Sequence, residues 1–120
     1  MAKHLETGKK GEQLALDHLR AKGYQILECN WRYCRAEVDI IAKIEEVIVF
    51  IEVKTRSGAA FGPPEAFLSA HQEKRIADAA AAYLEKIDHQ WEIRFDIISI
   101  ILKDPQSQIK HFEDAFFPSW

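Results

Sequence analysis

Residues 47–54 read Val47-Ile48-Val49-Phe50-Ile51-Glu52-Val53-Lys54, a five-residue apolar run followed directly by alternating charged side chains. The apolar run is mostly β-branched and lacks the alternation of a strand that faces water on one side. It therefore predicts a strand that is covered on both faces. Because side chains two apart in a strand share a face, Glu52 and Lys54 point the same way. The segment predicts a central strand that leads into a polar site.

A second extended segment precedes this strand and predicts a hairpin with it. Residues 37–43 alternate and are rich in β-branched side chains, and about two to four residues join them to the next strand. If Glu45-Glu46 forms a two-residue connection, Asp39 faces Glu52 and Glu37 faces Lys54. A shift of one residue would send the charges of the two strands to opposite faces of the sheet. The charge pattern thus favours the first register.

The rest of the chain predicts two helices and further strands. Gly23 is placed to end the first helix, and Ser69 with Gln72 predicts a capping box at the start of the second. The predicted elements are a helix over 9–22, a strand over 24–29, a loop over 30–35, a helix from 69 to about 87, a strand over 91–102 and an edge strand over 109–112. The order α-β-β-β-α-β-β predicts one α/β domain over residues 1–120, a mixed sheet flanked by helices.

The composition and charge of the chain exclude several classes of protein. The chain has 120 residues, of which 48% are hydrophobic and 29% charged, and this composition excludes a disordered chain. The net charge of −3 argues against a protein that coats nucleic acid through bulk charge. No apolar run approaches the roughly 20 residues of a membrane span, and the amino terminus lacks the apolar core of a signal peptide. We expect a cytoplasmic protein with reduced thiols at Cys29 and Cys34 and without histidine-bound metal.

Four residues are candidates for catalysis. Facing carboxylates at Asp39 and Glu52 would lie about 5 Å apart between Cβ atoms and repel each other. A divalent cation would relieve this repulsion, and Mg²⁺ is commonly held by one or two carboxylates with water and phosphate oxygens. Lys54 adds a cation beside them. Glu12 is an acid on the apolar stripe of the first helix, where a carboxylate is costly unless something binds it.

A purely structural interpretation stays open. A Glu-x-Lys triplet occurs by chance in many chains, and most such triplets lie on a solvated strand face. Glu37 and Lys54 would then form a cross-strand ion pair worth less than about 1 kcal/mol. Such a network would need no nucleic-acid partner.

The ordered set of motifs resembles the PD-(D/E)XK nuclease superfamily. More closely, nearly the whole chain is similar to the YraN-like family of small bacterial proteins, and more distantly to archaeal Holliday junction resolvases. The matching motifs are Gly8-x-x-Gly11-Glu12-x-x-Ala15, Gly23-Tyr24, Asn30-Trp31-Arg32, Glu37-Val38-Asp39, Val49-Phe50-Ile51-Glu52-Val53-Lys54-x-Arg56 and Arg94-Phe95-Asp96-Ile97.

The resemblance implies a restriction-endonuclease-like fold and a metal-dependent endonuclease. Its metal, Mg²⁺ or Mn²⁺, would be held by Asp39 and Glu52, while Lys54 assists the attacking water and Glu12 supports the site. The implied partner is nucleic acid, DNA rather than RNA. The alternative is a nucleic-acid-binding module of the same fold without catalysis.

Other residues have secondary roles in this interpretation. Trp31 would stack on bases or pack on the core, while Arg32, Arg56 and Lys74 would contact phosphates or lie at the solvated rim. Asp96 is expected to pair with Arg56 or another cation as a structural bridge. The apolar tail over 116–120 would dock on the body of the protein or in a homodimer.

Overall fold

The computed structural model describes residues 2–57, 68–90 and 92–117. For residues 2–7 only the backbone is described. In these ranges two helices flank one five-stranded sheet, and the predicted order α-β-β-β-α-β-β is confirmed. The elements are α1 (Ala2–Ala21), β1 (Gln25–Tyr33), β2 (Ala36–Ile44), β3 (Val47–Ser57), α2 (Ala70–Ile87), β4 (Ile93–Leu102) and β5 (Gln108–Phe112).

The sheet has the strand order β1-β2-β3-β4-β5, with β3 in the middle. Neighbouring strands are antiparallel except β3 and β4, which run parallel because α2 carries the chain back between them. Val49 and Ile51 of β3 lie in the core layer that contains α1, whereas Ile48 and Phe50 lie in the layer that contains α2. The predicted two-sided burial of this strand is therefore confirmed.

Local sequence signals account for the ends of several elements. Ser69 caps α2, and its capping box with Gln72 is complete, with both hydrogen bonds formed. Gly23 follows α1 with a φ of 90°, in the left-handed region that glycine tolerates. Cys29 and Cys34 are free and exposed. Neither helix of the described chain is both long and apolar enough to cross a membrane, and the cytoplasmic location stays a prediction.

Two predicted boundaries are wrong. The loop expected over 30–35 is largely strand, because β1 keeps pairing with β2 as far as Tyr33 opposite Ala36. Asn30 has a φ of 51° within this strand, a backbone irregularity that the pairing tolerates. Helix α1 begins at Ala2 rather than near residue 9.

The early glycines of α1 differ in their surroundings. A Cβ on Gly11 would lie well inside the contact distance of the Thr55 side chain on β3, whereas a Cβ on Gly8 would meet nothing within 4 Å. Of these two glycines, Gly11 therefore allows a close approach of another element and Gly8 does not. The approach at Gly11 sets the distance between α1 and the central strand.

We expect Gly11→Ala to lower the free energy of unfolding by about 1–3 kcal/mol, because the helix must move away from Thr55. Gly8→Ala is the matched control in the same helix and should be neutral or stabilising by up to about 1 kcal/mol. Urea unfolding followed by circular dichroism measures both. Equal effects of the two substitutions would show that the contact with Thr55 does not limit the packing of α1.

A buried polar network joins α1, β4 and β5. Asp96 has no exposed surface, and its carboxylate accepts two hydrogen bonds of 2.9 Å from Arg94. The His111 ring lies 2.7 Å from the same carboxylate, and its other nitrogen lies 3.2 Å from His18 of α1. Asp96 is thus a structural bridge as expected, with Arg94 as its cation.

The end of the described chain docks on the body. The backbone N–H of Ala115 donates to the carbonyl of Phe95 at 2.8 Å, and the Phe116 ring lies 5.3 Å from the Phe95 ring. Phe117 is 73% exposed. The remaining tail residues, 118–120, lie outside the described residues, and a homodimer stays a prediction.

Candidate active site

Asp39 and Glu52, here called the carboxylate pair, meet where β2 and β3 stop pairing. The ladder of the two strands runs from Ile44 opposite Val47 to Ile40 opposite Ile51, in the predicted register. One step further, Asp39 Oδ2 accepts the backbone N–H of Val53 at 2.8 Å, and Glu52 hydrogen-bonds to the Asp39 side chain. The aspartate side chain thus replaces a backbone partner, and the two carboxyl groups are held together.

The strand alternation breaks at Asp39. Val38 lies in the core layer of α2, yet Ile40, two residues later, lies in the layer of α1. On β1, the left-handed residue Asn30 falls at the same level, between the pairs that Cys29 and Trp31 make with β2. This irregularity turns Asp39 toward the edge of β3 rather than into either core layer.

Burial and charge act together on Glu52. Burial raises the pKa of Glu52 most, and the hydrogen bond and negative charge of Asp39 raise it further, while Lys54 opposes them. The result is a pKa of about 9, so without a cation Glu52 holds a proton at neutral pH. Lys54, two residues further along β3, is near enough for its charge to act on this carboxyl group.

Glu12 lies on α1, near enough to Asp39 of the carboxylate pair for the charge of Asp39 to act on it. Its carboxylate accepts a 2.8 Å hydrogen bond from Asn30 Nδ2. Burial raises the pKa of Glu12, the Asn30 bond opposes this, and the charges of Asp39 and Glu37 raise it again. Asn30 was not predicted as a site residue, although asparagine is one of the few residues that adopt the left-handed conformation readily.

The donor set suits a hard divalent cation. The carboxylate pair provides oxygen ligands from two strands, and Mg²⁺ takes one or two carboxylates together with water and substrate phosphate oxygens. Among the residues that the structure describes, no group of three or more His, Cys, Asp or Glu side chains could hold a metal. The site therefore fits a cation that is bound partly by protein and partly by a phosphate. It does not resemble a site in which protein ligands enclose the cation.

The candidate nucleic-acid contacts are dispersed around this site. Arg32 is bonded to Glu37 at 2.8 Å, with its side chain 78% exposed, so Arg32 rather than Lys54 is the ion-pair partner of Glu37. Trp31 is half-buried, and its ring stands edge-on to the Tyr83 ring of α2. Arg56 and Lys74 are exposed.

Two further arginines border the site and were missed as site residues. Arg35 and Arg75 line a cavity of about 160 Å³ together with Glu37 and Glu52. Arg35 lies in the β1–β2 turn, and Arg75 lies on α2. The sequence shows both cations, but only the packing of α2 against the sheet brings them to one cavity.

Comparison with known proteins identifies the family of this chain. The profile of the uncharacterised protein family UPF0102 matches residues 11–100. A UPF0102 protein of Christiangramia forsetii is 49% identical over 117 residues, which cover 98% of both chains. A UPF0102 protein of Flavobacterium psychrophilum is 44% identical over 117 residues, which cover 98% of both chains. A UPF0102 protein of Alkaliphilus oremlandii is 43% identical over 114 residues, which cover 92% of this chain and 97% of the relative. The chain belongs to the UPF0102 family, the YraN-like family that its motifs resemble.

Proposed function

We propose that this protein is a metal-dependent endonuclease that hydrolyses a phosphodiester bond of nucleic acid, DNA rather than RNA. The observation that carries the proposal is the carboxylate pair, held by the Val53 N–H and by their mutual hydrogen bond, with Lys54 beside it. Burial and the neighbouring Asp39 make the charged form of Glu52 unfavourable unless a cation binds. The retention of the carboxylate pair at a site bordered by arginines is explained if a cation and a phosphate bind there.

Each residue has a definite role in this proposal. Asp39 and Glu52 hold Mg²⁺ or Mn²⁺, which when bound polarises the phosphate and lowers the pKa of water. Lys54 orients the attacking water or neutralises the phosphate. Glu12, fixed by Asn30, positions water at the edge of the site.

The test is cleavage of fluorescent single-stranded, nicked and branched DNA in Mg²⁺ or Mn²⁺. Wild type is expected to cut at least one substrate, and Asp39→Asn and Glu52→Gln are expected to lose this activity while their circular dichroism spectra stay unchanged. Glu46→Gln replaces an exposed glutamate of the β2–β3 turn and is expected to cut like wild type.

Two outcomes would contradict the proposal. If wild type cuts none of the substrates, or if Asp39→Asn cuts as fast as wild type, the carboxylate pair does not hydrolyse phosphodiesters. Salt-dependent DNA binding that weakens in Arg56→Ala, without cleavage, would instead support a nucleic-acid-binding module.

A further inference from the structure

A groove runs between the β1–β2 turn and α2 and ends at Glu52 of the carboxylate pair. Its larger part is a cavity of about 990 Å³, lined by Tyr33 and Arg35 on one side and by Arg75 and Lys86 on the other. The smaller cavity beside Glu52 continues it. A volume of this size is at the upper end of those that bind whole small ligands, so a short run of nucleotides has room there.

The two arginines sit at the junction of these cavities. Arg35 and Arg75 line both the larger cavity and the smaller one that contains Glu52. A guanidinium binds phosphate through two parallel hydrogen bonds, which fixes position as well as charge. A backbone phosphate held at this junction would therefore lie directly beside the carboxylate pair.

Tyr33 provides an aromatic surface at the rim of the groove. Its side chain is among the few large hydrophobic ones of the described chain that are exposed, at 45%. The ring lies parallel to Trp31, with 4° between the planes and 6.5 Å between centroids, and Trp31 is braced by Tyr83 of α2. Because the ring is already positioned, stacking on a base orders little else.

The acidic residues of the groove distinguish between kinds of nucleic acid. Asp78 and Glu85 also line the larger cavity and would repel the dense phosphates of a duplex. Carboxylates can, however, accept hydrogen bonds from the N–H groups of unpaired bases. A duplex hides those groups and its base faces, whereas a single strand exposes both.

Resting on the proposed function, we propose that this groove binds a single-stranded segment of the nucleic acid. A base stacks on Tyr33, and the adjoining phosphates bind Arg35 and Arg75, which leads the strand to the carboxylate pair. An acidic peptide could also bind the arginines, but it would be repelled by Asp78 and Glu85 and would not need the ring of Tyr33.

The test is fluorescence anisotropy with an oligo(dT) of about 12 nucleotides, within the range that single-strand sites cover. Glu52→Gln protein in EDTA is used, so that binding is measured without cleavage. We expect Tyr33→Leu to weaken binding about tenfold and Tyr33→Phe to retain it, because the ring and not the hydroxyl stacks. Arg35→Gln and Arg75→Gln should each weaken binding and reduce its salt dependence by about one ion.

Lys103→Gln is the matched control, since it removes an exposed cation beyond β4, and it should bind like the parent protein. Equal affinity of Tyr33→Leu and the parent would overturn the proposal, because charge alone would then explain binding. Tighter binding of a duplex of equal length would overturn it as well. Both results leave the cleavage test unaffected, and loss of cleavage in Asp39→Asn leaves this binding test unaffected.

Discussion

Asp96→Asn is expected to lower the free energy of unfolding by about 3–5 kcal/mol, the usual effect of removing one partner from a buried ion pair. The carboxylate of Asp96 is fully buried and receives hydrogen bonds from Arg94, His111 and the backbone N–H of Asp114. Burial alone would raise the pKa of Asp96, but these bonds outweigh it and hold the pKa below its usual value. The amide keeps the shape, yet it leaves the half-buried Arg94 with only the partly exposed Glu113, 3.3 Å away, as a counter-charge.

Urea unfolding followed by circular dichroism measures this loss. Asp78→Asn, an exposed aspartate on α2, is the control and should change stability by less than about 0.5 kcal/mol. Because small domains are stable by only about 5–15 kcal/mol, the variant is expected to unfold at much lower urea. A loss below about 1 kcal/mol would show that the network contributes little to holding α1, β4 and β5 together.

Glu52→Gln is expected to stabilise the cation-free protein by at least about 2 kcal/mol near pH 8. The pKa of Glu52 is raised to about 9 in the folded protein, chiefly by burial and then by Asp39. A glutamate of the unfolded chain has a pKa of about 4.3. At a pH between these two pKa values, Glu52 carries a proton in the folded protein but not in the unfolded chain. The stability of the wild type therefore falls as the pH rises. Glutamine cannot titrate, so Glu52→Gln removes this loss of stability at high pH.

Thermal unfolding across the pH range measures this difference. The two proteins should converge below about pH 4, where Glu52 is protonated in both states of the wild type. Glu46→Gln, in the exposed turn, should follow the wild-type curve. Added Mg²⁺ should stabilise wild type more than Glu52→Gln, because the cation replaces the proton. Parallel pH curves for wild type and Glu52→Gln would contradict the assigned burial of this carboxyl group.

Local patterns predicted the elements that local physics determines. The apolar run of β3, the two-residue turn at 45–46 and the capping box of Ser69 each specify their structure within a few residues. The charge pattern favoured the register in which Asp39 faces Glu52, and the observed ladder up to Ile40 opposite Ile51 has that register. That part of the candidate site depends on counting residues along two strands.

Contacts between distant elements were not predictable in the same way. Asn30 reaches Glu12 only because β1 bends at a left-handed residue, and nothing in residues 30–35 distinguishes this from a loop. Likewise, His111 joins Asp96 because β5 pairs with β4. Arg35 and Arg75 share a cavity only once α2 is docked. Such pairs depend on topology, which a single sequence does not encode locally.

The bent first strand has a consequence for the association of whole molecules. Strand β1 lies at the edge of the sheet and is irregular twice, once between Ile26 and Glu28 and again at Asn30. An unpaired, straight edge invites strand addition from another chain and leads to aggregation, whereas bulges and charged side chains discourage it. The irregularity that gives Glu12 its hydrogen-bond donor thus also protects the protein from polymerising through this edge.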